Sequence, residues 1–386
     1  MQGSRRRNEK SAKIGGSTCP IACDQTWLWT PIAHWAAFSP VDLLTIADLK
    51  SRVLQENRVE SDIHAQVETC NRKDTRDGKP FYEVSVADSE GKLALKAWSD
   101  SPAFALCESL SPGDFVSIRG EFALNPQFGL EAKRWTSRPL NGAELEALLA
   151  GPPALRERQA ADFGYIEVTL RSLRDPRLNA LTSLFLADFG DRFRRAAAAR
   201  GNHHARRGGL VEHTAQMMRT ADAVASAYPY LNRDLLLAGV LFHDCGKLWE
   251  NSYPADGFTM PYDERGELLG HITIGIELIN ALWRKLAAAP EFESWKEIRP
   301  SSEDVRLHLL HLVAAHHGEL QFGSPVPPKT PEAWALHYVD NLDAKLEMLA
   351  GAYANSKAIA PRIRERVWPL AGHAVLPLPM ANNPDQ

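Results

Sequence analysis

The sequence predicts a multidomain α+β protein in which a small five-stranded β-barrel precedes an all-α domain. Two patterns support this fold class. Apolar residues alternate with period two between about residues 60 and 137, which is typical of strands with one buried face. From about residue 171 the apolar spacing lengthens to that of amphipathic helices. A chain of 386 residues is long enough for two domains that each bury a core.

Three runs define the predicted barrel strands. FYEVSVAD, KLALKAW and FVSIRGEF each place apolar side chains at alternate positions. Turn-forming segments separate the runs, at residues 76 to 80, 88 to 91, 111 to 114 and 125 to 129. With one helical insert near residues 100 to 110, five short strands predict a barrel of the OB type.

The outward face of this barrel combines aromatic and basic side chains, namely Phe81, Lys92, Lys96, Trp98 and Arg119. Exposed rings among cations suit the stacking of bases along a phosphate backbone. An alternative fits the sequence equally well, because the rings could cover the barrel ends while the lysines only solvate them. Four basic residues in the first hairpin favour nucleic acid binding, and they are Arg72, Lys73, Arg76 and Lys79.

The helical half has an apolar stripe from Leu178 to Phe185 and four longer helical patterns, at residues 233 to 243, 271 to 289, 303 to 317 and 331 to 352. Thr330 is the expected N-cap of the last helix, with Pro331 at its first position. The predicted parts are a poorly ordered extension (1 to 44), the OB-type nucleic-acid-binding domain (45 to 140), a linker with one short helix (141 to 170), the helical domain (171 to 360) and a tail (361 to 386).

Composition limits the location and the partners. The net charge of −4 argues against general coating of nucleic acid, so any such binding must use local patches. The five cysteines form no disulfide framework, which favours a reducing, cytoplasmic setting. The Trp-rich stretch TWLWTPIAHWAAF is too short and too interrupted to span a bilayer, so no membrane association is expected.

Four side chains of metal-binding type lie in otherwise apolar helical sequence, and they are His213, His243, Asp244 and Asp340. Imidazoles and carboxylates at helix-scale intervals are what a divalent-metal hydrolase needs. Asp340 lies mid-helix among apolar neighbours, where an unpaired carboxylate would be costly, so a metal ion is its simplest partner. A buried His–Asp hydrogen bond at a helix terminus would explain the His243-Asp244 pair if it stood alone.

Further residues strengthen the metal hypothesis. His271 opens a helix after GELLG, and the HHG sequence at 316 to 318 ends another. Gly246 is expected to let the chain turn after the His-Asp pair. Lys247 follows Asp244 by one helical turn, close enough to hold a phosphate oxygen beside metal ions. Since adjacent helical residues point about 100° apart, a histidine can serve one ion while the neighbouring carboxylate bridges to a second.

The order of these residues resembles the HD phosphohydrolase superfamily, which uses such a set to bind a divalent ion. Five stretches are similar to the YhaM-type 3′→5′ exoribonucleases: NHHARRGGLVEHT, LNRDLLLAGVLFHDCGKLWE, ELLGHI, HHGELQFGSPVPP and EAWALHYVDNLDAKLEM. That family places an OB-fold before its HD domain, so the resemblance covers roughly residues 45 to 355.

The resemblance implies two metal ions. The first would be held by His213, His243, Asp244 and Asp340, and the second by His271 and His316, with Asp244 bridging. His317 matches the family pattern, but the sequence leaves open whether it binds metal. The resemblance also implies manganese, which suits a mixed imidazole and carboxylate shell better than a thiolate-selecting ion does, with iron and zinc as the alternatives.

The implied activity is hydrolysis of single-stranded RNA from the 3′ end to mononucleotides, with single-stranded DNA as an additional candidate substrate. Asp244 and Lys247 are the expected catalytic residues, and a homo-oligomer is expected from the family. The main alternative is an HD phosphohydrolase that acts on small nucleotides or cyclic dinucleotides. The attached barrel, and GEL where a GYP-type triplet would follow the histidine pair, disfavour it. A non-catalytic RNA-binding protein and a di-iron oxygenase fit less well.

Two expectations concern the surroundings of this site. Six arginines between residues 192 and 207 precede the first ligand helix, and they form either a solvated helix face or a surface that steers RNA. Cys245 follows the His-Asp pair and is expected to be a small packing residue. Its thiol, if reactive, would make the activity sensitive to oxidation.

Overall fold

The N-terminal part of the protein is built around one long strand. A computed structural model describes residues 42–125, 129–201 and 203–379. Within them, β2 (Arg58–Asp74) lies at the centre of a six-stranded sheet. The remaining strands are listed in chain order as β1 (Asp42–Leu44), β3 (Pro80–Ala87), β4 (Lys92–Trp98), β5 (Phe115–Asn125) and β6 (Gly129–Pro139). The strand order is β4-β3-β2-β5-β6, all antiparallel, and β1 pairs parallel with β2.

The sheet curls without closing. The indole Nε1 of Trp135 on β6 donates a hydrogen bond of 3.1 Å to the carbonyl of Lys96 on β4, so the two edge strands approach one another. No ladder joins β4 to β6 within the described strands. The five-stranded barrel of the OB type is therefore not confirmed, whereas an antiparallel sheet in the N-terminal part is.

A helix that the sequence analysis missed contributes to this core. Helix α1 (Ile46–Glu56) buries Ile46, Leu49 and Val53 against the sheet. Their spacing of three and four residues was the available signal. Helix α2 (Pro102–Cys107) is the predicted helical insert. The three predicted runs form β3, β4 and β5 with the expected alternation, since Leu93, Leu95 and Ala97 of β4 are all buried.

The region predicted as a linker is more structured than expected. It contains helix α3 (Gly142–Ala150) and helix α4 (Pro153–Arg171), where one short helix was predicted. Helix α4 buries Phe163, Ile166 and Leu170 in the core of the helical part. Two prolines and a charged run interrupt the apolar pattern in the sequence, so only one short helix was predicted. Residues 1 to 41 of the predicted extension, and residues 126 to 128 of the fourth predicted turn, lie outside the described residues.

The helical part continues with helices α5 (Pro176–Phe193), α6 (Gly209–Ala227), α7 (Arg233–Phe242), α8 (Lys247–Glu250), α9 (Glu264–Ala287), α10 (Ser302–Ala315) and α11 (Pro331–Asn355). Every residue of α7 from Leu235 to Phe242 is buried. A helix that is apolar all round lies inside a fold. His243 and Asp244 follow α7 directly and therefore lie at the centre of the helical part.

The predicted C-terminal tail also contains regular structure. Strands β7 (Ala358–Ala360), β8 (Ile363–Arg366) and β9 (His373–Val375) form a small antiparallel sheet. The hydroxyl of Tyr353 on α11 donates to the Val375 carbonyl, which anchors this sheet to the helices. All described residues belong to one compact unit. Among the described helices, we find no apolar stretch of the length that a membrane span requires.

Candidate metal centre

The predicted ligands converge on one buried carboxylate, that of Asp244. They arrive from separate elements: His213 from α6, His243 and Asp244 from the end of α7, His271 from α9, His316 and His317 from the end of α10, and Asp340 from α11. The side chains of His213, His243, Asp244 and His316 are almost completely buried. The site thus lies inside the helical part, with His271, His317 and Asp340 partly accessible.

The two oxygens of Asp244 face two different groups of side chains. Oδ2 lies 3.2 Å from Nε2 of His243 and 3.9 Å from Nε2 of His213. Oδ1 lies 3.6 Å from Nε2 of His271 and 3.7 Å from Nε2 of His316. We call His213, His243 and Asp340 the first cluster, and His271, His316 and His317 the second cluster. Asp244 stands between them as a bridging carboxylate would.

Short distances within each cluster bring atoms of metal-ligand type together. In the first cluster, Nε2 of His213 lies 3.3 Å from Nε2 of His243 and 3.4 Å from Oδ1 of Asp340. In the second cluster, Nε2 of His271 lies 3.3 Å from Nε2 of His317. Neutral rings present lone pairs at these nitrogens, which a divalent cation could accept.

The outer ring nitrogens determine which tautomer each histidine adopts. Nδ1 of His243, His316 and His317 lies 2.7 to 2.8 Å from the carbonyls of Val240, Val313 and Phe322. A carbonyl oxygen only accepts, so Nδ1 carries the proton and Nε2 presents a lone pair to the centre. This arrangement is usual for histidines that bind metal. Oδ1 of Asp244 and Nε2 of His316 are buried and have no hydrogen-bond partner among the described residues.

Burial and neighbouring charges shift the pKa of several residues in the site. Burial lowers the pKa of His316 well below its usual value, so its ring stays neutral and available. Burial opposes ionisation of Asp244, but Lys247 and His243 nevertheless hold its pKa well below the usual range. In His213, burial lowers the pKa, but hydrogen bonds to Asp340 and Asp343 outweigh it and raise the pKa to about 9. The mixed imidazole and carboxylate donors of the site fit divalent cations.

Local backbone features direct these side chains inward. Gly270, with φ of 68°, interrupts α9 immediately before His271, so that His271 opens a new helical segment as predicted. His316 caps α10, and Gly318 follows with φ of 81°. Glycine adopts such left-handed angles without steric cost. Nδ1 of His337 lies 2.9 Å from the carbonyl of His316, which gives His337 a structural role.

Cys245 is fully buried beside the metal-type residues. A Cβ placed on Gly275 of α9 would lie only 3.2 Å from Sγ of Cys245. The thiol therefore packs between α9 and the end of α7. Burial raises the pKa of the Cys245 thiol, which disfavours the thiolate needed for oxidation. The expected packing role agrees with this geometry, and the burial argues against a redox-sensitive thiol.

Lys247 lies beside Asp244, as its spacing predicted. Its Nζ is 2.7 Å from Oδ2 of Asp244 and donates to the Ala198 carbonyl at 2.5 Å. The ammonium therefore neutralises part of the carboxylate charge at the edge of the first cluster. A contact between Lys247 and a phosphate stays a prediction.

Sequence reasoning missed residues that hold the histidines from outside. Oδ2 of Asp343 lies 2.7 Å from Nδ1 of His213 and 3.0 Å from Nε2 of His204. Oε2 of Glu250 lies 2.8 Å from Nδ1 of His271. The signal was spacing along helices, since Asp343 stands three residues after Asp340 and Glu250 three residues after Lys247.

The predicted nucleic-acid residues lie on the outer face of the sheet. Phe81 and Trp98 are opposite one another on β3 and β4, with ring centroids 4.9 Å apart. Nζ of Lys96 lies 5.9 Å from the Trp98 ring. Lys92 and Arg119 instead form ion pairs of 2.5 and 2.6 Å with acidic residues of β2, Glu68 and Asp62. Exposed pairs of this kind contribute only about 0 to 1 kcal/mol, so a phosphate can compete for the cations.

The arginines between residues 192 and 207 mostly bind the protein itself. Arg200 donates to the carbonyls of Glu250 and Pro261 at 2.8 Å. Arg207 donates to the carbonyls of Pro254, Ala255 and Gly257, and Arg206 pairs with Glu212 and Glu347. These three guanidinium groups secure the segment between α8 and α9 and the start of α6. They are therefore poorly placed to steer RNA.

The helical fold and its buried histidine and aspartate clusters are those of a hydrolase of the HD class, with residues that could hold a metal ion. In agreement, the HD domain family model matches residues 210–345, a range that begins just before His213 and ends just after Asp340. HD domains bind divalent metals, and the chain holds His/Asp groups able to do so.

Comparison with a curated relative identifies the family within the HD class. The 3′-5′ exoribonuclease YhaM of Bacillus licheniformis is 32% identical over 311 residues, which cover 80% of this chain and 92% of the relative. The chain belongs to the YhaM exoribonuclease family. Among solved structures, a Leishmania major Friedlin protein described as an aspartyl-tRNA synthetase aligns with 42% of this chain and 35% of its own, at 12% identity and a TM-score of 0.22. So low a score supports no inference.

Proposed function

We propose that this protein is a 3′→5′ exoribonuclease that removes mononucleotides from single-stranded RNA with two divalent ions. The proposal depends above all on Asp244, whose two oxygens face separate histidine clusters at 3.2 to 3.9 Å. One carboxylate shared by two sets of imidazoles is the arrangement that a two-ion phosphodiesterase requires. The B. licheniformis relative, named as a 3′-5′ exoribonuclease, supports this choice of substrate.

In the proposed site, His213, His243 and Asp340 would hold the first ion together with Asp244. His271, His316 and His317 would hold the second ion, also with Asp244. Bound divalent ions supply Lewis-acid stabilisation of phosphate charge and activation of water, and manganese is the expected metal, with iron and zinc as alternatives. Water loses a proton as its oxygen bonds to phosphorus, the bond from phosphorus to the 3′ oxygen breaks, and that oxygen takes up a proton to leave as the 3′ hydroxyl of the shortened chain.

The residues of this chain contribute position and charge. Hydrogen bonds at Nδ1 hold the imidazoles so that Nε2 faces the centre. Nζ of Lys247 lies 2.7 Å from Oδ2 of Asp244. Lys247 is therefore the cation that we propose to contact a non-bridging phosphate oxygen. The burial of the first cluster limits access of bulk water, which strengthens each of these interactions.

We propose that the curled sheet acts as an OB-type module for the upstream nucleotides. The tilted pair of Phe81 and Trp98, with Lys96 beside it, provides a surface on which bases stack regardless of the RNA sequence. Lys92 and Arg119 exchange their carboxylate partners for phosphates. Single-stranded DNA as a second substrate, a homo-oligomer and a cytoplasmic location are further expectations of the same proposal.

A digestion assay tests the function. RNA oligomers labelled at the 5′ end are incubated with Mn²⁺ and the full chain, and we expect a ladder that shortens by one nucleotide from the 3′ end. Asp244→Ala removes the bridging carboxylate and is expected to lower the rate by more than about 100-fold, the upper range for loss of outer-shell partners alone. Asp191→Ala, at an exposed aspartate near the end of α5, serves as the control and should keep the parental rate.

Two results would contradict the proposal. One is an Asp244→Ala protein that degrades RNA at the parental rate in manganese. The other is a parental protein that hydrolyses nucleoside phosphates or cyclic dinucleotides but leaves the RNA oligomer intact, which would favour the small-nucleotide alternative.

A further inference from the structure

We propose that Asp343 and Glu250 are positioning residues, one for each cluster, and that they set the affinities of the two ions separately. This inference rests on the proposed two-ion function. Neither residue faces the centre of the site. Each instead contacts the outer nitrogen of one histidine whose inner nitrogen faces Asp244.

Asp343 acts on the first cluster. It lies on α11 one turn after Asp340, and its Oδ2 is 2.7 Å from Nδ1 of His213. The same oxygen is 3.0 Å from Nε2 of His204, a buried residue with a positive φ of 46°. Two imidazoles thus share one carboxylate oxygen, which ties the segment before α6 to α11 and fixes the ring of His213.

Glu250 acts on the second cluster. It ends the short helix α8, and its Oε2 is 2.8 Å from Nδ1 of His271. Its backbone carbonyl accepts a hydrogen bond from Arg200, so the main chain is held independently of the side chain. His271 follows the non-helical Gly270, and the carboxylate is therefore a main restraint on the orientation of its ring.

The remaining three histidines differ from His213 and His271 in one respect. His243, His316 and His317 each have a backbone carbonyl at Nδ1, which no substitution removes. Among the histidines that face the centre, one in each cluster therefore has a side-chain carboxylate as its outer partner. A carboxylate at this position raises the basicity of the ring and fixes its tautomer, and loss of such a partner lowers metal affinity about 10- to 100-fold.

The two carboxylates differ in exposure. The Asp343 side chain is 10% exposed and that of Glu250 is 29% exposed. Because solvent screens the more exposed charge, we expect the larger effect on metal affinity from Asp343. An amide at either position still accepts a hydrogen bond but lacks the charge, so each amide variant should lose less affinity than the matching alanine variant.

Calorimetric titration of the full chain with Mn²⁺ tests the proposal. The parent should bind two ions. We expect one of the two binding steps to weaken by about 10- to 100-fold in Asp343→Asn and Asp343→Ala. The other step should weaken to a similar extent in Glu250→Gln and Glu250→Ala. Glu146→Gln, at an exposed position of α3, controls for the loss of a surface charge and should leave both steps unchanged.

Double variants that carry His271→Ala show which carboxylate affects which ion. His271→Ala removes a residue of the second cluster, so one ion should remain. In the His271→Ala protein, Asp343→Asn should still lower the affinity for the remaining ion. Glu250→Gln should have no further effect on that affinity, because its histidine partner is absent. Melting temperatures in a chelator separate positioning from folding. A purely structural role would lower them while leaving manganese affinity intact, and that result would overturn the inference.

The remaining outcomes are distinct. A parent that binds one ion or none would overturn the two-ion function and this inference with it. A parent that binds two ions, with unchanged affinities in all four single variants, would overturn the inference alone. So would weakening of the same binding step by both sets of variants.

Discussion

Gly246 and His271 touch through their backbones. A Cβ on Gly246 would lie 1.9 Å from the carbonyl oxygen of His271, a distance that no side chain tolerates. The angles of Gly246, φ of −67° and ψ of −21°, are ordinary for a helix. The chain does turn over residues 243 to 246, between α7 and α8, but Gly246 needs no left-handed angle to do so. Glycine is required because α9 must approach the end of α7 closely enough for His271 to reach Asp244.

The first prediction follows from this contact. Gly246→Ala should displace the start of the second segment of α9, since neither backbone can yield without moving a helix. We expect a loss of about 1 to 3 kcal/mol in the free energy of unfolding, as for other overpacked sites. Binding of the second manganese ion should weaken as well. Chemical denaturation and metal analysis of the purified protein measure both.

Gly351→Ala provides the matched control. Gly351 lies within α11, and a Cβ there would meet no atom within 4 Å. Alanine has the higher helix propensity, so this variant should be as stable as the parent or up to about 1 kcal/mol more stable. Parental stability and parental metal content in Gly246→Ala would refute the close-approach argument.

A second prediction concerns the contact between the sheet and the segment before α9. The Gln66 side chain of β2 accepts from the amides of Phe258 and Thr259 at 2.7 and 3.1 Å, and it donates to the Gly113 carbonyl at 3.3 Å. Gln66→Ala leaves the buried Phe258 amide without its partner, which should cost about 1 to 3 kcal/mol. Urea denaturation checks this. Gln55→Ala, exposed on α1, should change stability by less than about 0.5 kcal/mol, and equal effects would contradict the prediction.

Metal removal gives the third prediction. A ligand that binds only the folded state stabilises it, by about 2.7 kcal/mol per site at one hundred times its Kd. Chelation should therefore lower the melting temperature of the parental protein, and added Mn²⁺ should restore it. Asp244→Ala should show little of this manganese-dependent shift, because both clusters lose their shared carboxylate. An equal shift in parent and variant would place the bound metal elsewhere.

The fourth prediction concerns the aromatic pair on the sheet. Trp98→Ala removes one ring, and base stacking contributes about 1 to 3 kcal/mol per base, or about 5- to 150-fold in Kd. We expect weaker binding of single-stranded RNA in fluorescence anisotropy, with unchanged hydrolysis of a chromogenic phosphodiester. Trp334→Ala is the control, because Trp334 on α11 is 44% exposed and Trp98 is 42% exposed. Equal RNA affinity of the parent and Trp98→Ala would rule out stacking at this position.

The residues around Asp244 were predictable because their signals are local. A histidine and an aspartate at the end of an apolar helix, and a carboxylate amid apolar residues of another, are unusual wherever they occur. Helix α1, one of the two helices α3 and α4, and the strands within residues 361 to 375 were missed. Their apolar patterns are short or interrupted, and only burial against other elements stabilises them.

The sequence by itself determined that the chain has an N-terminal sheet followed by helices, and which side chains are of metal-binding type. Periodicity and residue chemistry carry that information along the chain. Only the tertiary structure decided that Asp244 turns one oxygen to each cluster, that Asp343 and Glu250 hold two histidines from outside, and that Gly246 admits α9. These relationships join residues 21 to 130 positions apart, and their distances depend on how helices pack, which local sequence does not specify.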